Sequence, residues 1–556
     1  MSENTYDVLV IGGGIVGAGA ALDAASRGMS VALVEARDWA SGSSSRSSKL
    51  IHGGLRYLEQ LDFRLVREAL KERHLLLTRL APHLVHPVPF LFPLKHRIWE
   101  RFYIGAGMTL YDFLGGLRSV VPRHRYLNHR RALEEAPGLR PDALIGALQY
   151  FDGQTDDARM TLAVVRTAAA YGADVANRAR ATELLREGER VTGARVLDLE
   201  SGQETTVRAR QVISATGVWT DQILAMADTG GTPTMKPSKG VHLVVPRGVI
   251  DLRSAMILRT ETSVLFVIPW GQYWVIGTTD TRWSLDEDHP VASRADIDYL
   301  LDHVNAVLRR PLTRDDIEGV YAGLRPLISG DAANTAKLSR EHLVATPVPG
   351  LVIVAGGKYT TYRIMAEDAV DMAVKDLDGV VPESVTERVP LLGAAGYEAR
   401  WNGRRRLAAR SGLSVLTVER LLRRYGSDVE EVLEPVAADP TLGQPLHGAP
   451  SYLRAEVVYA ASHEQALHLE DVLTRRTHIS IEERDRGLAA APEAAALMAT
   501  VLGWDDDTLR RETENYRLHV EAEIAAERQP DDVAAEVILH DVPEPSAYSG
   551  AAETSL

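Results

Sequence analysis

Cysteine is absent from the 556 residues of this sequence. Its absence excludes disulfide bonds, thiol catalysis, cysteine-ligated zinc and iron–sulfur clusters. Basic residues are also outnumbered, because 62 Lys and Arg stand against 76 Asp and Glu and leave a net charge of -14. A general nucleic-acid binder needs a basic surface to displace counterions. We therefore predict no nucleic-acid partner.

Long apolar runs are absent too. The longest candidate, 102–117, is interrupted by Asp112 and is too short to cross a bilayer. The first seven residues carry two acids and no basic, apolar leader, so we expect no secretory signal and a cytoplasmic location. Apolar residues nevertheless make up 45% of the chain, which is enough to bury a sizeable core. At about 150 residues per domain, the length predicts three to four domains.

The chain begins with a pattern typical of a dinucleotide-binding βαβ unit. An apolar run, 8–11, leads into Gly12-x-Gly14-x-x-Gly17, and an Ala-rich helix follows. Gly12 permits a tight turn, Gly14 lets the backbone approach a pyrophosphate, and Gly17 lets the helix pack against the strand. The phosphate groups then lie at the N-terminus of the helix.

A second apolar run, 31–34, completes the unit and ends in Glu35. In this setting the Glu35 carboxylate accepts hydrogen bonds from an adenosine ribose. The alternative is a glycine turn in an α/β unit that binds nothing. It is disfavoured because the strand, the helix and the acid are all in place. NAD and FAD share this pattern, so other segments must distinguish them.

Three segments favour FAD over NAD. A hydroxyl-rich loop, 43–48, leads to the pair Gly53-Gly54, while Gly217 and Gly357 each follow a predicted strand. Sites so widely spaced suit an extended FAD better than an NAD bound by one compact domain. Because cysteine is absent, we predict noncovalent FAD, with a histidine link left open. The predicted FAD-binding residues are Gly12, Gly14, Gly17, Glu35, Ser44, Ser45, Ser48, Leu50, His52, Gly217, Gly357 and Lys358.

Four further motifs occur in order along the chain: SSKLIHGGLRYL at 47–58, GTTD at 277–280, GLRPL at 323–327 and GGKYTTYR at 356–363. Together with the glycine motif, they closely resemble the FAD-dependent aerobic glycerol-3-phosphate dehydrogenases. The first of the four is highly specific, whereas the glycine motif is not. The resemblance runs from the N-terminus to about residue 375 and continues into the C-terminal helices, around 455–477.

The resemblance implies an α/β fold of the glutathione-reductase/D-amino-acid-oxidase type. A Rossmann-like FAD-binding domain is then joined to a β-rich substrate domain and an all-α C-terminal domain. We place the FAD-binding domain at 1–80, 151–225 and 321–375, the membrane-facing substrate domain at 81–150 and 226–320, and the helical domain at 390–528. The remaining residues, 529–556, are acidic, so we predict a disordered tail there.

The substrate implied by the resemblance is a small phosphorylated alcohol. Its site needs fixed cations for the dianion and a proton acceptor for the hydroxyl. By resemblance, Arg56, Tyr57 and Arg340 bind the substrate, and the two arginines bind its phosphate. Arg325 and Lys358 then lie near the reacting oxygen and stabilise the developing alkoxide. The alternative for each of these two cations is a structural ion pair.

His242 is the candidate catalytic proton acceptor. Strand alternation puts it on the face opposite Val241, Leu243 and Val245. A histidine accepts a proton readily near neutral pH, and the family pattern also has a histidine at this position. The alternative is a solvated or structural histidine, which is the commoner role for a histidine in a strand.

The segment 87–131 concentrates aromatic and basic side chains in an otherwise acidic protein. Its aromatic and apolar set is Phe90, Leu91, Phe92, Ile98, Trp99, Phe102, Tyr103, Leu110, Tyr111 and Phe113, and its basic set is Lys95, Arg97, Arg101, Arg118, Arg123, Arg125, Arg130 and Arg131. This mixture is typical of a membrane interface, and the alternative is a buried subdomain with a solvated basic face. The resemblance to peripheral membrane dehydrogenases favours attachment to the inner face of the cell membrane.

Charged residues also cluster in the C-terminal helices. They are Glu456, His463, Glu464, Asp471, Arg475 and Arg476. One interpretation is a metal site. We predict instead a capping or dimer-contact domain with charged helix faces and no bound metal, and we leave open whether a homodimer forms.

The residues and the resemblance together predict an enzyme that oxidises sn-glycerol 3-phosphate to dihydroxyacetone phosphate. Hydride passes to FAD, and the electrons pass on to a quinone. One alternative is an oxidase of the same architecture that reduces oxygen to peroxide. A second is an amino-acid or amine oxidase of the related fold, which would bind a carboxylate in place of the phosphate. A third is a flavoprotein that uses FAD only for structure or for sensing.

Overall fold

The structure is a computed structural model that describes residues 5–54, 62–96, 99–115, 120–228, 235–260, 264–328, 342–540 and 542. The three predicted substrate ligands Arg56, Tyr57 and Arg340 lie outside these residues. Within them, two large sheets are covered by helices, and a mainly helical region follows.

The strands are β1 (Thr5–Ile11), β2 (Val31–Val34), β3 (Leu50–Ile51), β4 (His86–Leu94), β5 (Arg125–Asn128), β6 (Gly146–Gln154), β7 (Asp174–Ala176), β8 (Ala179–Glu187), β9 (Arg190–Asp198), β10 (Glu204–Ser214), β11 (Ser238–Pro246), β12 (Ala255–Arg259), β13 (Val264–Trp270), β14 (Tyr273–Gly277), β15 (Thr281–Arg282), β16 (Gly319–Arg325), β17 (His342–Val348), β18 (Leu351–Gly356), β19 (Pro445–Leu446) and β20 (Ala449–Leu453).

The α-helices are α1 (Ile15–Ser26), α2 (Phe63–Leu75), α3 (Trp99–Leu114), α4 (His129–Glu135), α5 (Asp157–Ala170), α6 (Thr220–Met226), α7 (Arg294–Asn305), α8 (Tyr362–Val374), α9 (Tyr397–Asn402), α10 (Arg404–Ser411), α11 (Val415–Tyr425), α12 (Val429–Ala438), α13 (Arg454–His463), α14 (Ile479–Glu482), α15 (Ala491–Leu502), α16 (Asp506–Ala526) and α17 (Asp532–His540). A π-helical turn at Leu76–Leu80 extends α2, and a second lies at Asp471–Arg476.

The first sheet contains the predicted βαβ unit and has the order β17-β18-β10-β1-β2-β7. β1 is parallel to both β10 and β2. Val8 and Val10 pack into a core with α1, α5 and α8, whereas Leu9 packs into a second core on the opposite face. Burial on both faces explains why β1 is continuously apolar. The predicted strand, helix and second strand are therefore confirmed.

The second sheet is mostly antiparallel and has the order β15-β11-β14-β13-β12-β4-β6-β3, with β16 paired to β11 and β5 to β6. Val241, Leu243 and Val245 of β11 pack into a core with α4 and α7, while Val244 packs into the core on the other face. The predicted alternation of β11 is confirmed. It directs His242 away from the core that contains its two neighbours in the chain.

Two segments assigned from the sequence to the FAD-binding domain lie instead in the second sheet. β3 falls within 1–80 but pairs with β6, and most of β16 falls within 321–375 but pairs with β11 along its whole length. Both strands pair only within the second sheet, so the chain passes from one sheet to the other before β3 and after β16. The loops beside them consequently lie where the two sheets meet.

The C-terminal helices form cores of their own, with β19 and β20 as a small hairpin among them. The helical character predicted for 390–528 is confirmed. The expected charged helix faces are wrong for five of the six charged residues, because Glu456, Glu464, Asp471, Arg475 and Arg476 are buried. Their burial is tolerated because each contacts a charge of opposite sign.

The predicted disorder of 529–556 is wrong for residues 532–540, which form α17. Ala535 and Leu539, four residues apart, are buried against Val218, Trp283 and Leu324. The acidic composition of the segment conceals this helix, because the partners of its two buried apolar residues lie in distant parts of the chain.

The segment 87–131 contributes core residues as well as surface. Phe90, Leu91, Phe92 and Tyr111, four members of the set that favours a membrane interface, are buried. Val120 and Tyr126 are exposed large side chains at its C-terminal end. Among the helices of the described residues, none combines the length and apolarity needed to cross a bilayer.

Candidate active site

A cavity of about 1110 Å³ is lined by residues of both sheets. It brings together residues that the sequence analysis selected from widely separated segments. These are Gly12, Gly14, Glu35, Ser44, Ser48, Leu50, His52, Gly217, His242, Arg325, Gly357 and Lys358. Of the predicted site residues that the structure describes, Gly17 and Ser45 do not line it.

The glycine turn after β1 is tight for a stereochemical reason. Gly12 has a φ of 110°, and a Cβ there would lie 2.7 Å from the carbonyl oxygen of Ala215. A Cβ at Gly17 would lie 1.9 Å from the carbonyl oxygen of Gly12. Any side chain at Gly17 would therefore push α1 away from β1. This is the helix-packing role predicted for Gly17.

The N-terminus of α1 faces Ser44. The backbone N–H of Ile15 donates to Oγ of Ser44 at 3.0 Å, and a Cβ at Gly14 would lie 3.1 Å from the same oxygen. The turn therefore presents backbone N–H groups and a hydroxyl to the cavity without intervening side-chain bulk. These are the groups that hold a pyrophosphate at a helix N-terminus.

Glu35 directly follows β2, and backbone N–H groups fix its side chain. Its Oε2 accepts from the N–H of Gly13 at 2.5 Å, and its Oε1 accepts from the N–H of Arg37 at 2.8 Å. Burial raises the pKa of Glu35 above its ordinary value, and the two N–H groups oppose that rise. The carboxylate is thus held at the cavity wall, where a ribose bound to this unit would meet it.

A buried polar network that the sequence analysis missed holds the glycine pair 53–54 in place. The N–H of Gly53 donates to Oη of Tyr111 at 3.0 Å, and Tyr111 Oη donates to Asp152 Oδ1 at 2.7 Å. Arg73 forms an ion pair with Asp152. No local signal could have found this network, because its members lie on α2, α3 and β6.

His242 is held between a hydroxyl and an aromatic ring. Its Nε2 lies 2.9 Å from Oγ of Ser48, and its ring stacks on Tyr321 with centroids 4.7 Å apart. Tyr321 in turn donates its Oη hydrogen to the carbonyl of Ser47 at 3.0 Å. A Cβ at Gly277, the strand partner of His242, would lie 2.2 Å from the imidazole. Gly277 therefore provides the space that the ring occupies.

The environment of His242 favours the neutral imidazole. Burial lowers its pKa well below the ordinary value, and the positive charges of Arg325 and Lys49 lower it further. Among the described residues, its Nδ1 atom is buried with no hydrogen-bond partner. A neutral imidazole with one nitrogen engaged and the other unengaged can accept a proton from a bound ligand.

Arg325 ends β16, and its guanidinium crosses Gly240 of the neighbouring β11. A Cβ at Gly240 would lie 2.5 Å from its Nη2. That nitrogen donates to Oγ1 of Thr278 and to the carbonyl of Thr279, both at 3.0 Å, and Asp280 lies 3.4 Å from Nη1. The GTTD motif therefore orients Arg325.

Lys358 and Arg46 are among the other cations that line the cavity. Lys358 follows β18, and its Nζ is buried. Arg46, which the sequence analysis passed over, lies in the hydroxyl-rich loop, and burial lowers its pKa. Its Nη1 donates to the carbonyl of Ala322 at 3.4 Å. The signal for Arg46 was its place between the serines of a predicted binding loop.

These features fit an extended flavin dinucleotide. The glycine turn and Ser44 leave room for phosphates, and Glu35 stands beyond them at the end of β2. The cavity continues past Ser48 and Leu50 to the ends of β16 and β18. One cavity therefore contains the pyrophosphate turn as well as His242, Arg325 and Lys358.

Comparisons with known proteins agree with this geometry. A family model described as FAD dependent oxidoreductase matches residues 7–364, and a model of the C-terminal domain of alpha-glycerophosphate oxidase matches residues 384–509. The chain is 57% identical over 547 residues to the protein named glycerol-3-phosphate dehydrogenase 2 of Mycobacterium tuberculosis, covering 98% of this chain and 93% of that protein.

More distant relatives extend the similarity. The human mitochondrial glycerol-3-phosphate dehydrogenase is 39% identical over 540 residues, covering 93% of this chain and 73% of the human protein. The X-ray structure of the glycerol-3-phosphate dehydrogenase of Bacillus halodurans complexed with FAD matches with a TM-score of 0.76 at 31% identity, covering 94% of this chain and 95% of that one. The chain therefore belongs to the family of FAD-dependent glycerol-3-phosphate dehydrogenases, and FAD is its cofactor.

Proposed function

We propose that this protein oxidises sn-glycerol 3-phosphate to dihydroxyacetone phosphate and passes the electrons to a quinone. The observation that carries the proposal is the meeting of His242, Arg325 and Lys358 in the cavity that begins at the FAD-type glycine turn. The names of relatives at 57% and 39% identity support the same substrate. Bound FAD, noncovalently held, supplies the acceptor for the hydride that leaves C2 of the substrate.

His242 accepts the proton of the substrate hydroxyl. It is buried and neutral before substrate binds, because desolvation and two nearby cations oppose its protonation. In the tautomer whose Nε2–H donates to Ser48, the lone pair lies on Nδ1, the buried nitrogen with no partner among the described residues. Transfer of the proton to that atom is general base catalysis.

Arg325 and Lys358 stabilise the negative charge that develops on the reacting oxygen. The guanidinium of Arg325 is pre-oriented by Thr278 and Thr279, so little reorganisation accompanies charge development. We assign the phosphate to Arg56 and Arg340, and substrate binding also to Tyr57, on the strength of the resemblance to the family. Planar guanidinium groups suit a phosphate because they bind it with two parallel hydrogen bonds.

We also propose that the protein attaches peripherally to the inner face of the cytoplasmic membrane. The exposed side chains Val120 and Tyr126 belong to the same segment of chain as the exposed residues Arg123, Arg125 and Arg130. Apolar and basic groups together suit an interface with anionic lipids. Such attachment would give reduced enzyme access to a quinone pool.

Anaerobic mixing of the holoenzyme with sn-glycerol 3-phosphate tests the substrate. We expect the absorbance of the oxidised flavin to bleach at least as fast as steady-state turnover. It should recover when a soluble quinone analogue is added. Bleaching by amino acids or amines instead would overturn the substrate assignment. Failure of every substrate to bleach the flavin would indicate a structural or sensing flavin.

The acceptor is tested in the same vessel. Fast recovery with oxygen and stoichiometric peroxide would establish an oxidase and would overturn the quinone assignment. Slow recovery with oxygen but fast recovery with quinone supports a dehydrogenase. Flotation with anionic vesicles then tests the membrane proposal, and unchanged binding after reversal of charge at Arg123 and Arg130 would contradict it.

A further inference from the structure

The C-terminal helical domain contacts the loop that follows β2 and holds it in place. Asp38, three residues after Glu35, is completely buried. Its Oδ2 accepts from Nε of Arg475 at 2.5 Å and from Nη1 of Arg476 at 2.6 Å, and its Oδ1 accepts from Nη2 of Arg476 at 2.6 Å. A carboxylate so fully enclosed depends on both arginines, because an unpaired charge in this position would be strongly destabilising.

The next residue, Trp39, connects these contacts to the glycine turn. Trp39 is 1% exposed, and its indole lies so close to Gly13 that a Cβ there would be 2.5 Å from Cε3. Its Nε1 donates to Oε1 of Gln465 at 2.9 Å, and Gln465 also belongs to the C-terminal domain. The backbone N–H of Ala40 donates to the carbonyl of Gly13 at 3.2 Å. Trp39 thus rests on the pyrophosphate turn from one side and on the helical domain from the other.

A third segment closes the same arrangement. Arg178, which follows β7, contacts Asp471 at 3.0 Å, and Asp471 also contacts Arg475 at 2.6 Å. The backbone N–H of Arg178 donates to the carbonyl of Arg37 at 3.0 Å. The two chain segments beside the end of β2 are therefore joined through one C-terminal π-helical turn, Asp471–Arg476.

We propose that Arg475, Arg476 and Gln465 are positioning residues for FAD. They hold the loop from Asp38 to Ala40 against the glycine turn, so the C-terminal helical domain determines how tightly the cofactor is retained. None of the three lines the cavity. The role concerns FAD alone and is independent of which substrate or electron acceptor the enzyme uses.

The physical reason is preorganisation. With the contacts from the C-terminal domain intact, the loop is ordered before FAD binds. Without them, binding must also order the loop, and the apparent dissociation constant rises in inverse proportion to the ordered fraction. If loss of one arginine leaves about a tenth of molecules ordered, FAD affinity falls about tenfold. Affinity differences between variants of one complex appear mainly in the dissociation rate, so release of FAD should be faster by a similar factor.

The experiment measures FAD release from the purified holoenzyme by the gain in flavin fluorescence on dilution. We expect Arg476→Met to release FAD about tenfold faster, and Gln465→Met, at an exposed position with a single hydrogen bond to Trp39, to release it a few-fold faster. Turnover with saturating FAD should be close to that of the parent protein.

Arg420→Met is the matched control. Arg420 pairs with Glu456 inside the C-terminal domain and contacts none of the loop residues. Its loss should lower the melting temperature without accelerating FAD release. If Arg476→Met and Arg420→Met release FAD at equal rates for an equal loss of melting temperature, the arginine has only a structural role and the proposal is overturned. If Arg476→Met does not fold, unchanged release from Gln465→Met overturns it.

Discussion

Nε2 of His242 lies 2.9 Å from Oγ of Ser48, a residue 194 positions earlier in the chain. β11 belongs to the second sheet, and Ser48 precedes β3, a short strand at the other end of the same sheet. The hydroxyl fixes the orientation of the imidazole, and Tyr321 supports its face. Orientation of a base by a hydroxyl and a ring is what efficient proton transfer requires.

Replacing His242 with Asn should lower kcat by about 10²–10⁴-fold, because the proton acceptor is lost while a polar side chain is retained. Ser48→Ala should produce a smaller loss, since the base persists but is less well oriented. Stopped-flow measurement of flavin reduction gives both rates directly. FAD content of the purified variants is the control, and a His242→Asn enzyme that reduces at the parent rate would rule out His242 as the base.

The pH profile of flavin reduction offers a separate test of His242. Because burial and two cations lower its pKa, the imidazole should stay neutral as the pH falls through 6.5. We therefore expect kcat/KM to show no loss near pH 6.5, with the acidic limb at lower pH. A limb at 6.5 that disappears in His242→Asn would show that the histidine titrates as if solvated.

Replacing Arg325 with Lys should lower the rate of flavin reduction by about 10²-fold, although the charge is conserved. Lysine lacks the planar fork that contacts Thr278 and Thr279 together, and its ammonium would be placed differently beside Gly240. Arg282→Lys, at an exposed position on β15, is the matched control and should behave as the parent. Equal rates in the two variants would contradict a role for the guanidinium.

The βαβ unit could be predicted because its signals are local. The apolar run of β1, the three glycines and Glu35 lie within one stretch of 31 residues, and Gly17 is required by its contact with Gly12 inside that unit. The orientation of His242 could also be predicted, since alternation along β11 depends only on neighbours in the chain. In both cases the physical constraint acts at short range.

The missed features depend on contacts between distant segments. The sequence pattern assigns Tyr111 to a membrane interface, because nothing near it in the sequence reveals Asp152, its hydrogen-bond acceptor. The sequence predicts that Arg475 and Arg476 lie on a charged helix face, because their partner, Asp38, precedes them by more than 400 residues. Sequence patterns report propensity and periodicity, whereas buried ion pairs are specified only by the assembled fold.

His468 should make stability depend on pH in the alkaline range. Its hydrogen bonds to Glu200 and Glu512 outweigh burial and raise its pKa to about 9. A raised pKa contributes stability that is complete below the ordinary value of 6.5 and is lost as the pH rises toward 9. His468→Gln should therefore reduce the free energy of unfolding by about 3 kcal/mol at pH 6 and by little at pH 9.5. Urea denaturation at both values measures this, and His463→Gln, at an exposed position, should show neither loss.

The helix α17 binds a buried lysine of the strand that carries His242. Nζ of Lys239 is completely enclosed and lies 2.5 Å from both Asp296 and Asp532. Asp532→Asn removes one of these two charge-assisted hydrogen bonds and should lower the free energy of unfolding by about 1–3 kcal/mol in urea titrations with saturating FAD. Glu521→Gln breaks an exposed pair with Arg517 and should cost less than about 1 kcal/mol. Equal losses in the two variants would mean that α17 lies on the surface without stabilising β11. A larger loss of stability in Asp532→Asn, together with slower flavin reduction, would show that α17 helps to hold Arg325 and His242 in register. The connection is through β11, because Ser238, beside Lys239, is the strand partner of Arg325.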